Sequence, residues 1–262
     1  MNISTKKIWS RATNRIYTIV STKLREKTYN SGENRVKYML FRRNGGKDGE
    51  NALAVCFPAF AGSGAKYNYV RTLKDFNINK LFLLDDIGGY DKGNYLIKPG
   101  VEENVAALIK ETIENIQPTK LIFFGSSKGG YTALNFSLMF PNVNVCIAAP
   151  QYFLSDYLFR EKKYENLKII LDGNDTEVAK ENLNNRLRNK IANAVYLPKS
   201  FYIHYSTEEH TYKEHIVDML ADLKARNINV IEDIGNYTNH MDLAFYFPTF
   251  LKKSIKEILS GL

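Results

Sequence analysis

Cysteine is nearly missing from this chain. Two occur in 262 residues, Cys56 and Cys146. Each lies inside an apolar run, LAVCF or VCIAA, and nothing has the C-x-x-C spacing of a metal or redox centre. Two buried free thiols are therefore expected. No window approaches the ~18 consecutive apolar residues of a membrane span. The N-terminal MNISTKKIWSRATNRIYTIV is basic but lacks an apolar stretch long enough for a signal peptide, so a cytoplasmic protein is expected. No block of five or six like charges occurs either. Lys plus Arg number 36 against 28 Asp plus Glu, a formal net charge of +8. Such an excess suits an acidic partner, but the basic residues are scattered, with only small groups at Lys6-Lys7, Arg42-Arg43 and Lys162-Lys163. They read as general surface charge, not as a nucleic-acid footprint.

What is present is ordinary globular material. Hydrophobic residues make up 44% and charged residues 24%, which implies a packed core. The length suits one domain spanning residues 1–262. Residues 1–50 read as short strands broken by turns: RIYTIVSTKL, RVKYMLFRR, then the turn NGGKDGEN. From Ala52 the rhythm changes to apolar strands alternating with helices. ALAVCF ends in Pro58, and a loop containing Gly62 and Gly64 leads to a helix-like YVRTLKDF. KLFLLDD has the unbroken apolar character of a strand buried on both faces, and the long loop IGGYDKGNYLIKPG follows it. Val101, Val105, Leu108, Ile109 and Ile113 recur at helical spacing up to the stop at Pro118. LIFF is a strand, Gly129 to Phe140 a helix and VNVCIAA a strand. Residues 151–195 read as a mostly helical insertion. SFYIHY, YKEHIVDMLADLKAR, NVIEDI and a closing amphipathic helix complete the chain. The alternation predicts a mainly parallel sheet with helices on both faces, and antiparallel N-terminal edge strands.

The segment LIFFGSSKGGYTAL carries the chemistry. It lacks the lysine-hydroxyl pair of G-x-x-x-x-G-K-[ST], as does GSGAKYN at Gly62 to Asn68, and no G-x-G-x-x-G with a downstream acid is present. A phosphate cradle is not expected. Gly125-Ser126-Ser127-Lys128-Gly129 does fit G-x-S-x-G, between a buried strand and a helix, where a nucleophile elbow belongs. A serine in so sharp a turn needs glycine two positions either side, because a side chain there would collide where strand and helix cross. Ser127 is the candidate nucleophile. The backbone N–H of Lys128, at the first turn of the helix, would stabilise an oxyanion. A second donor is expected from the loop after Pro58, at Phe60 or Ala61.

Such an elbow calls for an acid after a later strand and a histidine near the C-terminus. Of four histidines, His204 lies inside SFYIHY and reads as a core or sheet-face residue. His210 and His215 fall in or beside the following helix and read as solvated. His240, in the loop GNYTNHMD after the last strand, is the candidate base. For the acid the loop STEEH offers Glu208 and Glu209. Glu209 is preferred, three residues beyond the start of the turn, and Asp175 would replace it if KIIL were a strand instead of a helix. Asp85, Asp86 and Arg71 read as capping or surface residues, although Arg71 could neutralise an anionic substrate. No metal or cofactor is called for.

The elbow GSSKGGYTAL, together with FPAF followed by KYNYVRTL, DDIGGYDKGNYLI and NYTNHMDLAFYF, resembles the α/β-hydrolase-like proteins of bacterial capsular polysaccharide biosynthesis. It is also similar to their relative in the accessory secretion system that modifies serine-rich glycoproteins. The resemblance runs from about Ala52 to Phe250. It implies an α/β-hydrolase fold and a Ser/acid/His triad that includes Ser127 and His240. It also implies acyl transfer from an acyl donor to a glycan or other hydroxyl acceptor, and peripheral association with a membrane-bound biosynthetic complex. It leaves open transfer against hydrolysis, and an enzyme against a non-catalytic scaffold that binds glycan or a biosynthetic partner.

Overall fold

The computed structural model describes residues 3–31, 34–45, 50–60, 64–88 and 93–261, with backbone only for residues 3–12, 14 and 31. An eight-stranded sheet in the order β1-β2-β4-β3-β5-β6-β7-β8 forms its centre. The strands are β1 (Glu26–Ser31), β2 (Asn34–Phe41), β3 (Ala52–Cys56), β4 (Asn79–Leu84), β5 (Lys120–Ser126), β6 (Val143–Ala148), β7 (Ser200–Ser206) and β8 (Val230–Gly235). β1 pairs with β2 and β2 with β4 in antiparallel register, and every other pairing is parallel. Every position of β3, β4 and β6 is buried, as their continuous apolar sequences require of strands covered on both faces.

The two-residue period of a strand divides the core in two. Leu53, Val55, Leu121 and Phe123 face a cluster completed by α2 (Val101–Ile116), α3 (Lys128–Ser137) and α8 (Val217–Ala225). Ala52, Ala54, Cys56, Ile122 and Phe124 face the opposite cluster, closed by α9 (Leu243–Ser260) and by Tyr67, Val70 and Leu73. Cys56 and Cys146 are buried free thiols, and burial pushes both well above the ordinary thiol range. Between β6 and β7 the chain runs through α4 (Leu154–Arg160), α5 (Tyr164–Ile170), α6 (Glu177–Asn184) and α7 (Arg186–Asn193). Among the described residues no helix is long and apolar enough to cross a membrane.

Two sequence expectations are corrected. Residues Ile3–Arg25 form a helix, α1, so RIYTIVSTKL is not a strand. Its apolar positions do not alternate. Tyr17 and Ser21, four apart, turn inward, the spacing of a helix face. YVRTLKDF is a run of turns and no helix. Its bonds mix spacings, with Leu73 N donating to Tyr69 O and Lys74 N to Arg71 O, and Tyr69 opens it in left-handed backbone at φ 59°.

Where β5 meets α3 the chain makes a tight crossing. Ser127 sits at φ 52°, ψ −119°, a strained conformation for a residue with a Cβ. A Cβ on Gly125 would lie 2.5 Å from the Gly129 backbone, and one on Gly129 would lie 2.3 Å from Phe57 O. Neither neighbour is a flexible side chain, so the backbone itself would have to move. Gly129→Ala is expected to cost about 2 to 3 kcal/mol, despite the better helix propensity of alanine. The check is a lower urea midpoint at unchanged m-value.

Candidate active site

The loops at the carboxyl ends of β5, β6, β7 and β8 converge on Ser127, the position at which parallel sheets present ligands and chemistry. Ser127 Oγ lies 2.9 Å from His240 Nε2. His240 Nδ1 lies 3.1 Å from Glu209 Oε1. His240 stands at the start of a single 3₁₀ turn after β8, fixed by Asn239, whose Oδ1 accepts from Met241 N at 2.9 Å. Glu209 follows β7 in a turn closed by its N–H on Ser206 O. Its side chain is fully buried, and Thr211 donates to it from both N and Oγ1.

Burial alone would push the Glu209 carboxyl up. Hydrogen bonds from His240 and Thr211, with the nearby charges of His240 and His210, outweigh it and hold the group below its ordinary value. An ionised Glu209 accepts the Nδ1–H of His240. That tautomer leaves Nε2 as the acceptor for the Ser127 hydroxyl.

The remaining sequence candidates separate cleanly. Ser126 Oγ shares a 2.5 Å hydrogen bond with Tyr69 OH. Glu208 is exposed. Asp175 is exposed in the turn after α5, paired with Lys180 at 2.9 Å. KIIL is helical there, so no strand delivers Asp175 to the site. His204 is a buried sheet-face residue whose Nδ1 meets Asp233 at 2.6 Å. His215 departs from the solvated role expected of it. A π-helical turn over Tyr212–Ile216 rolls it inward, against the rings of Phe153 and Tyr157. Its Nδ1 accepts from Phe153 N at 3.3 Å, and burial lowers its pKa to about 4. His210, also expected in solvent, is half exposed, but its Nδ1 lies 3.0 Å from the same Glu209 Oε1 that His240 uses.

The Lys128 N–H lies at the first position of α3, next to Ser127. Phe60 lines the cleft above the serine, whereas Ala61 lies outside the described residues. The Lys128 side chain and Asp85 correct the sequence reading. Asp85 is no surface or capping residue. It is fully buried and meets Lys128 Nζ at 2.7 Å, and it also accepts from Asn94 N at 3.0 and 2.9 Å. Asp86 pairs with Lys37 at 2.6 Å. Arg71 donates to Thr13 Oγ1. Sequence reasoning missed Gln151 altogether. Fully buried just beyond β6, it donates from Nε2 to Ser127 Oγ at 2.7 Å, while its Oε1 faces Tyr95 OH at 3.5 Å. The only available signal was its place after a strand next to the elbow.

The serine opens into a cleft of about 510 Å³ whose walls include Phe60, Tyr69, Tyr157, Lys163, His210 and His240. The pieces form a connected set: a serine hydroxyl beside an imidazole nitrogen, a buried carboxylate at the other ring nitrogen, and a helix N-terminus beside the serine. Such a set can form and break an acyl ester.

Compared with protein-family models and with curated proteins, the chain matches none. Solved structures share its fold. A mutant of the capsule O-acetyltransferase of Neisseria meningitidis serogroup A, in complex with CoA, superposes with a TM-score of 0.70 at 19% identity, over 88% of this chain and 94% of that one. The glycosylation-associated Gap123 complex of Streptococcus agalactiae gives 0.67 at 15% identity, over 88% and 46%. The S-formylglutathione hydrolase FrmB of Staphylococcus aureus gives 0.56 at 15%, over 88% and 96%. The chain has the α/β-hydrolase fold.

Two buried groups give stability predictions. Asp85→Asn removes the carboxylate paired with the buried Lys128 and is expected to cost about 3 to 5 kcal/mol, read as a fall in the urea midpoint. His215 is neutral in the folded state down to about pH 4, whereas its ordinary value is 6.5. The unfolded chain therefore binds the extra proton between these values, and stability falls as pH drops through that window. His215→Asn keeps an acceptor for Phe153 N. It is expected to shrink the stability difference between pH 7.5 and pH 5 by about 2 kcal/mol, measured by urea unfolding at both pH values.

Proposed function

We propose that the chain is a serine acyl-transfer enzyme that moves an acyl group from a thioester or ester donor to a hydroxyl acceptor on a glycan. The observation that carries the reading is the unbroken hydrogen-bond path from Ser127 Oγ through His240 to Glu209, at 2.9 and 3.1 Å. Ser127 Oγ attacks the acyl carbonyl while His240 Nε2 takes its proton. Glu209 holds the Nδ1–H tautomer and stabilises the imidazolium that forms. The negative charge on the carbonyl oxygen is met by Lys128 N and by a second backbone N–H, from Phe60 or Ala61. Collapse expels the donor's thiolate or alkoxide, which leaves with the proton from His240. The acceptor hydroxyl then gives its proton to Nε2, attacks the Ser127 ester and departs acylated, and Ser127 recovers its proton.

The choice of transfer and of a glycan draws support from the fold shared with the capsule O-acetyltransferase, whose structure contains CoA. Hydrolysis would use the same residues with water as acceptor. A non-catalytic scaffold would share the fold without the chemistry.

A fluorophosphonate probe separates these readings. Wild type is expected to be labelled on Ser127, with labelling lost in Ser127→Ala and largely kept in Ser126→Ala. An adduct on Ser126 contradicts the assignment, and an unlabelled but folded wild type favours the scaffold. With a p-nitrophenyl ester as donor, His240→Ala and Glu209→Gln are each expected to slow acylation by about 10² to 10⁴, with circular dichroism unchanged. A His240→Ala rate within about tenfold of wild type removes it as the base.

A further inference from the structure

Gln151 stands outside the path from Ser127 to Glu209, yet it touches the serine. Its Nε2 donates to Ser127 Oγ at 2.7 Å, alongside the 2.9 Å contact of that oxygen with His240 Nε2. The residue is fully buried, and backbone bonds fix its place. Just before it, Ala148 O accepts from Ser127 N at 2.8 Å and Ala149 N donates to His204 O at 3.0 Å, so the segment is tied to the elbow on one side and to β7 on the other. The amide is oriented as well. Its Oε1 faces the hydroxyl of Tyr95 at 3.5 Å, and Tyr95 is itself fully buried, edge-on against Tyr131 and Phe60. Burial raises the Tyr95 phenol well above its ordinary value, so it stays a donor.

A serine hydroxyl has one proton to give and two lone pairs. The Gln151 N–H engages one lone pair, and of the two groups at Oγ only the imidazole nitrogen can accept the proton. One lone pair is left for a carbonyl carbon. An ester oxygen is a poor acceptor, so acylation of Ser127 would leave a fully buried amide N–H without a good partner, an unfavourable state. The partner returns when Oγ is released.

We propose that Gln151 is a catalytic residue for the second half of the reaction, the release of the acyl group from Ser127. The proposal rests on the acyl-transfer reading and assigns Gln151 a step within it. In that step the acceptor hydroxyl adds to the acyl carbonyl while His240 Nε2 takes its proton. The tetrahedral intermediate then breaks its carbon–Oγ bond, the electron pair goes to Oγ, and the proton passes from His240 to Oγ. Charge builds on Oγ as that bond breaks, and the Gln151 N–H is the donor that meets it. The serine alkoxide is a leaving group comparable to the alkoxide or hydroxide just added, so its expulsion decides how often the intermediate goes forward. Attack on an activated ester differs. There Oγ gives up electron density and a nitrophenolate leaves far more readily, so a hydrogen bond into Oγ contributes little.

The test uses the full chain and p-nitrophenyl acetate. Stopped-flow release of nitrophenolate gives the acylation rate, and intact-protein mass spectrometry follows the decay of the acetyl-enzyme. Gln151→Met keeps the length of the side chain without its N–H. Its acetyl-enzyme is expected to decay about 10²-fold more slowly than that of wild type, the loss typical of one missing oxyanion donor, with acylation slowed by less than about tenfold. Acetyl-Ser127 should therefore accumulate in this variant. Gln151→Glu provides a second readout, because a protonated carboxyl can donate and an ionised one only accepts. The ratio of its decay rate to that of wild type should rise about tenfold as pH falls from 8 to 5.5. Decay within about twofold of wild type in Gln151→Met, equal slowing of acylation and decay, or a Gln151→Glu protein as slow as Gln151→Met at every pH overturns the proposal. A wild type that forms no acetyl-enzyme and takes no fluorophosphonate overturns the acyl-transfer reading itself, whereas a labelled wild type with unchanged decay in Gln151→Met overturns only the role of Gln151.

Discussion

Under the elbow lies an ion pair that water does not reach. Lys128 Nζ and Asp85 meet at 2.7 Å with 2% and 0% of their side chains exposed. Removing two charges from water is costly, and the cost is recovered only if the geometry is good and the remaining acceptors are filled. Asn94 N fills them. Through that bond the end of β4, the start of α3 and the loop after β4 are locked to one another. The same loop is held by Asn166 of α5, which donates to Gly93 O at 2.6 Å, and by Thr132 of α3, which donates to Tyr95 O at 3.1 Å. A strained residue such as Ser127 persists only where its surroundings over-determine it. Here the surroundings are a buried charge pair below and a crossing on either side with no room for a Cβ.

On that floor the site is assembled from residues far apart in the chain but adjacent in the sheet. β5, β6, β7 and β8 are consecutive neighbours. The residues just past their ends, Ser127, Gln151, Glu209 and His240, are therefore brought together although 113 residues separate the first from the last. Ser127 Oγ has a partner on two sides, the imidazole and the Gln151 amide, which together fix its rotamer. Glu209 receives donors from Thr211 and faces two imidazoles. That is why a fully buried carboxylate is nevertheless held in its ionised form.

The helices inserted between β6 and β7 and the helix at the N-terminus do a different job. They leave the strand ends alone and build walls. Tyr157 of α4 and Lys163 beside α5 enclose the serine cleft, and α1 closes a neighbouring basic cavity with Arg15, Thr18 and Ile19. The sheet positions Ser127, His240 and Glu209, and these added helices shape the cavities beside them.

The strands from Ala52 onward, their mainly parallel direction and the elbow were legible in the sequence because each rests on a pattern along the chain: unbroken apolar runs alternating with helices for doubly covered parallel strands, and glycines two residues either side of a serine for a sharp turn. The position of His240 after the last strand was legible for the same reason, since a single chain-order pattern located it. The choice among Glu208, Glu209 and Asp175 turned on local geometry as well, the direction of one turn and the helical state of KIIL. Other features lay beyond any local rule. RIYTIVSTKL holds enough β-branched residues to read as a strand, and only packing against the second core cluster gives it a helical face. Whether Asp85 lies on the surface or under Lys128, whether His215 meets solvent or Phe153, and whether Gln151 touches the serine depend on which segments cross in space. Local pattern determines backbone state, because that is set within a few residues. The partners of a buried charge or amide are set by contacts between residues 24 to 62 positions apart, and those only the tertiary structure decides.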